Sequence, residues 1–382
     1  MNDTRDQEGF TSAAGGHLYL HIPFCRSRCH YCDFPTRADL HHLQDAYVEA
    51  LLHEADVLPD QPWSTLYIGG GSPSALEPDL LTRLLAGLDR RLRLAPEHEW
   101  TCEANPADVD DRLLKTLCHH GVNRLSLGVQ SFDDRLLRLL GRRHDAATAR
   151  AAIARARAIM PRLNVDLMLA LPGQEAAPLA ADISLLADMG VDHLSAYALI
   201  VEPGTPLASD VAQGRITIPD DDASGQCLET AWAQIEQHWP AYETSSFAHP
   251  AKRCRHNLAG WRLHDYHALG AAAVSTVDGR RHSRPCDPAQ YIAALTGPEM
   301  PVWPVEIIDG TTRLREAWML GLRLRRGVHR EHLLSLGDDP QRIDRHIAPV
   351  QAAGLVMVDG PWIAVAPAGR LVQDAITRAV MP

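Results

Sequence analysis

The chain has 382 residues, of which 46% are hydrophobic and 22% are charged, which is enough for one large domain and a smaller one. Its formal net charge of -11 disfavours nucleic acid as a partner. The sequence has no apolar run long enough to predict a transmembrane helix, and its polar start lacks the apolar core of a signal peptide. We therefore expect a cytoplasmic protein.

Short apolar strands and longer amphipathic helices alternate through the first two thirds of the chain, after a lead-in at 1–16 that we expect to be disordered. Six strands are predicted, at 17–22, 65–73, 99–106, 123–130, 163–173 and 193–204. Such alternation implies parallel β-α units with right-handed crossovers, and the apolar runs fit a sheet that is buried on both faces. Six units suit an open partial barrel or a doubly wound sheet. We predict an α/β fold, a partial (β/α)6 barrel of parallel strands, over 17–250.

Polar or glycine-rich stretches recur just after the predicted strand ends. They read HIPFC, GGGSP, EANP, GVQSF and ALPGQ. Because the carboxyl ends of parallel barrel strands share one face, where active sites are built, these stretches predict a single composite site.

The β-α rhythm breaks after residue 240. Residues 251–310 are predicted to be a connecting segment on the substrate side of the barrel, and they begin with a loop rich in His and Arg. Helical patterns and a hairpin around Asp359 and Gly360 follow. They predict a small, helical, winged-helix-like C-terminal domain over 311–382.

Three of the eight cysteines, Cys25, Cys29 and Cys32, lie together in a C-x3-C-x2-C pattern directly after the first strand. Structural zinc normally takes four protein ligands, or three in a site with an open position. A [4Fe-4S] cluster also takes four thiolates, so three would leave one iron without a protein ligand. Zinc, an incomplete cluster and three unrelated loop thiols are the alternatives, and only the cluster explains the signals at the other strand ends.

This spacing resembles that of the radical S-adenosylmethionine superfamily. The resemblance implies a [4Fe-4S] cluster held by Cys25, Cys29 and Cys32, with S-adenosylmethionine on the open iron. An electron from the cluster would then cleave the sulfonium and give a 5'-deoxyadenosyl radical, inside a barrel that excludes water.

Residues at the strand ends have the chemistry that S-adenosylmethionine requires. A glycine turn lets the backbone approach a ligand, carboxylates and amides suit ribose hydroxyls and an ammonium group, and an arginine on the helix after the fourth strand suits a carboxylate. The resemblance implies S-adenosylmethionine contacts from Tyr19, Gly70, Gly71, Ser72, Glu103, Gln130, Arg142 and Asp166.

Over residues 17 to 375 the motifs are similar, in order, to those of the oxygen-independent coproporphyrinogen oxidase-like group. They include YIGGGSPS, LSLGVQSFDDRLLRLLGRRH, NVDLMLALPGQ and RHNLAGW. Coproporphyrinogen dehydrogenases carry a further cysteine where this chain has Phe34. In lacking that cysteine, the chain resembles the heme-chaperone branch of the group. This branch implies heme binding, delivery of heme to apoproteins, and a reducing electron donor such as flavodoxin or ferredoxin.

The branch places its heme-binding histidine at His256, near three basic residues that could meet heme propionates. The chain departs from the branch at Gly260, where a tyrosine is usual, and at Val274, where a histidine is usual. A radical enzyme is the alternative: a methyltransferase, a cyclopropanase or a coproporphyrinogen oxidase-like enzyme, with a heme-degrading enzyme as a weaker one. A hydrogen-bonded loop histidine is the alternative for His256.

Overall fold

The computed structural model describes residues 15–297 and 299–382. The predicted lead-in therefore lies outside the described residues except at its end, where Gly16 begins the first strand. In the described ranges, no helix is both long enough and apolar enough to cross a lipid bilayer.

The described residues form strands and helices that are numbered here in chain order. The strands are β1 Gly16–Ile22, β2 Pro62–Gly70, β3 Arg93–Ala104, β4 Arg124–Gln130, β5 Arg162–Leu169, β6 His193–Ala198, β7 Ser246–Ala248, β8 His267–Leu269, β9 Val274–Val277, β10 Arg280–Ser283, β11 Val305–Ile307, β12 Val328–His329, β13 Val356–Asp359 and β14 Trp362–Val365. The helices are α1 Gln44–Ala55, α2 Pro78–Arg91, α3 Asp111–His119, α4 Asp134–Leu139, α5 Ala146–Ile159, α6 Ala176–Asp188, α7 Pro206–Ala212, α8 Asp221–Ile235, α9 Arg255–Trp261, α10 Pro288–Leu295, α11 Gly310–Gly321, α12 Arg330–Ser335, α13 Pro340–Ala352 and α14 Gln373–Val380.

The main sheet confirms the predicted α/β fold. Its order is β7-β6-β5-β4-β3-β2-β1-β8, and β1 to β6 run parallel to one another. The sheet is open, because its edges are β8, which is parallel to β1, and β7, which is antiparallel to β6. Each edge strand has three residues, too few for a pattern that predicts a strand.

The two faces of the sheet differ in chemistry. On the outer face, Leu18, Leu20 and Ile22 of β1 pack with the helices in the main core. On the inner face the alternate residues of the same strand are polar, and this pattern repeats across the sheet. The inner face carries His17, Tyr19, His21, Thr65, Tyr67, Glu99, Thr101, Glu103, Arg124, Ser126, Asn164, Asp166, His193, Ser195 and Tyr197. The sheet is buried on both faces, as predicted, but the inner face is a polar interior instead of an apolar one.

Helix α2 shows how the sequence builds the outer layer. The helix begins with a proline. Proline has no backbone N–H, but an N–H in the first turn of a helix has no partner within the helix, so no hydrogen bond is lost. Its buried leucines recur at helical spacing, and Arg90 and Arg91 stand in the last turn, where positive charge stabilises the helix dipole.

The C-terminal part has a core of its own, around the fully buried Trp318. It contains helices α11 to α14 and the antiparallel sheet β12-β14-β13. The predicted hairpin is present, with Asp359 paired to Trp362. This arrangement of helices and a small sheet agrees with the predicted C-terminal domain.

A buried carboxylate fastens the connecting segment to the main sheet. Glu54 of α1 accepts hydrogen bonds from Tyr291 Oη at 2.6 Å and Trp303 Nε1 at 2.9 Å, and pairs with Arg284 at 3.0 Å. These three partners lie beyond residue 283, and the backbone N–H of Gly270 also donates to Glu54 at 3.3 Å, so this polar cluster fixes the connecting segment against α1.

Candidate functional site

The three clustered cysteines lie on a loop that leaves the carboxyl end of β1 and is fixed at both of its sides. The backbone N–H of Cys25 donates to the Arg37 carbonyl at 3.0 Å, and that of Arg37 donates to the Pro23 carbonyl at 2.7 Å. Farther along, the N–H of His30 donates to the Leu140 carbonyl at 3.0 Å. The loop is therefore held against the turn that follows α4.

The glycine turn after β2 packs against this loop so closely that no side chain fits. A Cβ added at Gly71 would lie 2.6 Å from the Phe24 carbonyl oxygen and 3.0 Å from Cys25 Sγ. Gly70 has a φ of 109°, which other residues rarely adopt, and an added Cβ would lie 2.6 Å from the His21 ring. The backbone of the turn therefore shares one surface with the cysteine loop.

Two of the three thiols on this loop have a raised pKa. Burial, followed by the neighbouring Cys32, raises the pKa of Cys25 to about 11, and burial also raises the pKa of Cys32. Among the described residues, no three His, Cys, Asp or Glu side chains are arranged closely enough to hold a metal ion, and this includes the three thiols. Three thiols on one loop beside a glycine cradle nevertheless suit an iron–sulfur cluster, which takes thiolate ligands.

Arg142 reaches the cysteine loop from a turn. The sequence predicts a helical position for Arg142, but the residue lies between α4 and α5, because Gly141 has a φ of 70° and ends the first of these helices. Its Nη1 donates to Cys29 Sγ at 3.2 Å, and its Nη2 donates to the Gly128 carbonyl. Its Nε is buried and has no hydrogen-bond partner.

Glu103 lies directly beneath the glycine turn. Tyr67 Oη donates to its carboxylate at 2.7 Å, and a Cβ added at Gly69 would lie 2.9 Å from that carboxylate. Burial, opposed by the Tyr67 hydrogen bond and reinforced by the charge of Asp166, raises the pKa of Glu103 to about 7. A cationic ligand at this position would return the group to its ionised form.

Asp166 is the second buried acid on the inner face. Asn164 Nδ2 donates to it at 2.7 Å, and Ser126 Oγ donates at 3.4 Å. Burial raises its pKa in spite of these hydrogen bonds. The neighbouring strand β4 adds Gln130, which has a φ of 70° at an irregularity of that strand and accepts a hydrogen bond from Tyr197 Oη at 2.9 Å.

The two hydroxyl residues of the expected set differ in their surroundings. Tyr19 belongs to the inner face, where its hydroxyl is 3.0 Å from His21 Nδ1 and its ring is 6.2 Å from that of Tyr67. The hydroxyl of Ser72 instead contacts Ser74 Oγ at 2.8 Å. The structure therefore brings seven of the eight expected side chains and glycines toward the carboxyl end of the inner face, while Ser72 points its hydroxyl along its own turn.

His256 does not join this group. It lies on α9 near the beginning of the strands, where its Nδ1 is 2.8 Å from Thr65 Oγ1 and its backbone N–H donates to Glu99 Oε1 at 3.0 Å. Burial lowers the pKa of His256 to about 3, so its imidazole is neutral at neutral pH. Tyr67 lies between the two ends, since its ring is 5.2 Å from that of His256 while its hydroxyl bonds Glu103.

The residues that support this face were not predicted from the sequence. Tyr67 holds Glu103, Asn164 holds Asp166, and Thr65 joins His256 to His17, whose Nδ1 is 2.9 Å from the same hydroxyl. The signal that could have found them is the alternation of polar residues along the strands, which identifies the inner face.

Two family models match the chain. The radical SAM superfamily matches residues 19–186, and the HemN C-terminal domain matches residues 308–372. A solved structure, the radical SAM enzyme coproporphyrinogen III oxidase (HemN) from Escherichia coli, superposes with a TM-score of 0.82 at 23% identity and covers 100% of this chain and 94% of that one. At that identity the similarity concerns the fold.

Known proteins resemble the chain over most of their own length. It is 36% identical to heme chaperone HemW of Escherichia coli (strain K12) over 319 residues, which are 78% of this chain and 83% of that protein. It is 34% identical to heme chaperone HemW of Mycobacterium tuberculosis (strain ATCC 25618 / H37Rv) over 373 residues, which are 95% of this chain and 94% of that protein.

Proposed function

Because the chain belongs to the HemW family of the radical S-adenosylmethionine superfamily, we propose that it is a heme chaperone, which binds heme and passes it to apoproteins. The observation that carries this proposal is a cavity of about 380 Å³ to which His256 contributes. A neutral imidazole in a partly apolar cavity is what a heme iron needs.

Gly260, where the family motif usually has a tyrosine, supports the proposal of a heme-binding cavity. Gly260 lines the same cavity, and a Cβ added there would meet no atom within 4 Å. Replacement of a tyrosine by glycine therefore leaves space on the cavity wall. The second departure is Val274, where the family usually has a histidine. This residue lies in strand β9 and pairs with Ser283 of β10.

We further propose roles for the residues at the other end of the inner face. Cys25, Cys29 and Cys32 would hold the [4Fe-4S] cluster that the superfamily carries, and a bound cluster supplies a low-potential electron and one open iron. The turn of Gly70, Gly71 and Ser72 would offer backbone groups to the methionyl part of S-adenosylmethionine.

The acids and Arg142 have separate tasks in this proposal. Glu103 would accept the ammonium group, and Asp166 and Gln130 would accept ribose hydroxyls. Arg142 would hold the cysteine loop in place through its contact with Cys29, and Tyr19 would close the inner face behind the ligand. Together these groups would bind and orient S-adenosylmethionine and exclude water from it.

The partners follow from the same role. A cluster that must be reduced needs an electron donor such as flavodoxin or ferredoxin, and the cargo needs heme-binding apoproteins as acceptors. All eight cysteines are free thiols, which suits the reducing cytoplasm, where we place the protein.

The test is heme retention and transfer. The protein, with its cluster reconstituted anaerobically, is mixed with hemin and desalted, and bound heme is measured by its Soret band and by hemochrome assay. We expect stoichiometric retention, transfer to an apo-cytochrome, and weaker binding in His256→Ala than in His249→Ala, a matched change at an exposed histidine.

The enzyme alternative predicts a different outcome. No heme would be retained, while S-adenosylmethionine would be consumed in the presence of a substrate extract, giving 5'-deoxyadenosine or S-adenosylhomocysteine. That result would overturn the chaperone proposal and leave the cluster assignment standing. Cys29→Ser should abolish the cluster absorbance in either case, whereas Cys286→Ser, at an exposed cysteine, should not.

A further inference from the structure

A row of three polar residues crosses strands β1, β2 and β3 near the beginning of the sheet. The register pairs His17 with Thr65, and Thr65 with Glu99. Because residues that pair across neighbouring strands project to the same face, the three side chains lie side by side on the inner face. His17 is 4% exposed, and Thr65 and Glu99 are fully buried. The row therefore forms a fixed, buried surface against which α9 packs.

This row holds His256 of α9 at two points. Glu99 Oε1 accepts the backbone N–H of His256 at 3.0 Å, and Thr65 Oγ1 lies 2.8 Å from Nδ1 of its ring. The Tyr67 ring lies beside the His256 ring, with 5.2 Å between the centroids. The backbone, one ring nitrogen and the ring itself are all in contact with the sheet, so the imidazole is fixed in orientation.

The second ring nitrogen of His256 is left for the cavity of about 380 Å³. Within the described residues, the rings of His17 and His256 form hydrogen bonds through Nδ1 only, and in neither ring is Nε2 completely buried. Both residues line the cavity. His256 is the more exposed of the two, so it is the one that a ligand in the cavity meets first.

A single hydroxyl between two imidazoles restricts where their hydrogens lie. Thr65 Oγ1 is 2.9 Å from His17 Nδ1 and 2.8 Å from His256 Nδ1, and a hydroxyl has one hydrogen to donate. If it donates to one ring, the other ring must donate to it, because two lone pairs form no hydrogen bond. A neutral imidazole has one N–H, so a ring that donates through Nδ1 carries its lone pair on Nε2.

Both rings are neutral at neutral pH. Burial lowers the pKa of His256 to about 3, and burial followed by the charge of His264 lowers the pKa of His17 to about 4. The His264 ring also stacks on the His17 ring, with 5.6 Å between the centroids, which holds His17 in place. Each ring bonded to Thr65 therefore has a single N–H, and at least one of the two carries the Nε2 lone pair that a metal ion requires.

We propose that Thr65 is the positioning residue of the heme site: its hydroxyl accepts the Nδ1–H of His256, which leaves the lone pair on His256 Nε2 for the heme iron, and donates its own hydrogen to His17 Nδ1. This inference rests on the proposed chaperone function and names the groups that prepare its iron ligand. Histidines that bind metals generally donate their second N–H to such a partner, which fixes the tautomer and makes the ligand more basic.

The test uses hemin as the probe and cluster-loaded protein. Thr65→Val removes the hydroxyl and keeps the shape, and we expect it to bind hemin at least about tenfold more weakly. The Soret band and the electron paramagnetic resonance signal of the bound ferric heme should also shift, because the axial imidazole has lost its hydrogen-bond acceptor. Thr65→Ser keeps the hydroxyl and should restore both affinity and spectrum. Thr101→Val is the matched control, since Thr101 is a fully buried threonine of the inner face whose hydroxyl has no partner, and it should change neither.

A second measurement needs no variant of Thr65. Nitrogen-15 NMR of labelled histidine in the heme-free, cluster-loaded wild type distinguishes ring nitrogens with a hydrogen from those without one. The signals of the two rings are identified by their loss in His256→Ala and in His17→Ala. We expect the hydrogen on Nδ1 in His256 and on Nε2 in His17. A hydrogen on Nε2 of His256 would overturn the proposal, even if Thr65→Val does not fold.

The outcomes separate this proposal from the chaperone function. If the wild type retains heme and Thr65→Val keeps its affinity and spectrum, the role of Thr65 is wrong and the chaperone function stands. Equal losses in Thr65→Val and Thr101→Val would also overturn the role of Thr65. If the wild type retains no heme, the chaperone function fails, and the NMR measurement still shows whether Thr65 sets the tautomer of His256.

Discussion

Arg142 and Cys29 are 113 positions apart in the chain, yet the guanidinium Nη1 of the first lies 3.2 Å from the Sγ of the second. The same guanidinium donates to the Gly128 carbonyl on β4. One side chain thus joins the cysteine loop after β1 to the carboxyl end of β4. It is one direct link between the proposed cluster ligands and the strand ends.

Arg142→Lys tests whether this link depends on the shape of the guanidinium. Lysine keeps the charge but offers one compact ammonium group, which is not suited to bonding Sγ and the carbonyl together. We expect a loss of stability of about 1–3 kcal/mol from the buried carbonyl left unpaired, and less iron bound per chain after reconstitution. Iron content and denaturant unfolding measure both effects. Arg138→Lys, at an exposed position of α4, is the control, and equal behaviour of the two variants would contradict the prediction.

Gly71→Ala tests the close contact between the glycine turn and the cysteine loop. The added methyl group would lie 2.6 Å from a backbone oxygen, so the turn or the loop must move. We expect reconstitution to give less cluster absorbance, and binding of S-adenosylmethionine to weaken. Gly260→Ala is the matched control, since it lies in α9 with open space around it. That change should stabilise the protein by about 0.5–1 kcal/mol and leave the cluster unchanged.

Glu103→Gln tests the buried acid beneath the turn. The folded pKa of about 7 is above the ordinary value of 4.5, so the stability contributed by the protonated acid is complete below about pH 4.5 and is lost as pH rises through 7. The loss amounts to about 3 kcal/mol. The cluster-free variant should therefore unfold at higher denaturant than the wild type at pH 8, and this advantage should shrink toward pH 5.

The same variant separates stability from binding. Without the ionisable acid, calorimetry on the cluster-loaded protein should show weaker binding of S-adenosylmethionine, even though the chain is more stable. Wild-type and variant stability curves that run parallel from pH 5 to 8 would show that Glu103 does not titrate in this range.

Asp338→Ala tests the core of the C-terminal part. Asp338 is 7% exposed, accepts a hydrogen bond from Trp318 Nε1 at 2.8 Å, and accepts another from Arg342 Nε at 2.6 Å. Its removal leaves a buried indole N–H and a guanidinium without their acceptor, so we expect a loss of about 3 kcal/mol in thermal unfolding. Asp344→Ala removes an exposed aspartate that also pairs with an arginine, and it should change stability little. Equal losses would contradict the prediction.

Much of the fold could be predicted because its signals are local. Strands β1 to β6 and their helices show in apolar runs and helical periodicity, and Cys25, Cys29 and Cys32 show in their spacing. Predicted strands ran too far where glycine or proline turns continue an apolar stretch, as at 199–204 beyond β6. The edge strands β7 and β8 were missed because they are strands only through their neighbours in the sheet.

The sequence by itself determined the succession of β-α units along the chain, the cysteine loop and the polar alternation of the inner face, because each follows from residues a few positions apart. The tertiary structure decided which distant groups meet. It placed Arg142 on Cys29, set His256 at the opposite end of the inner face, and brought His264 beside His17 and Arg313. The physical reason is that such contacts depend on strand order and on the packing of α11 beneath the sheet, and neither leaves a periodic trace along the chain.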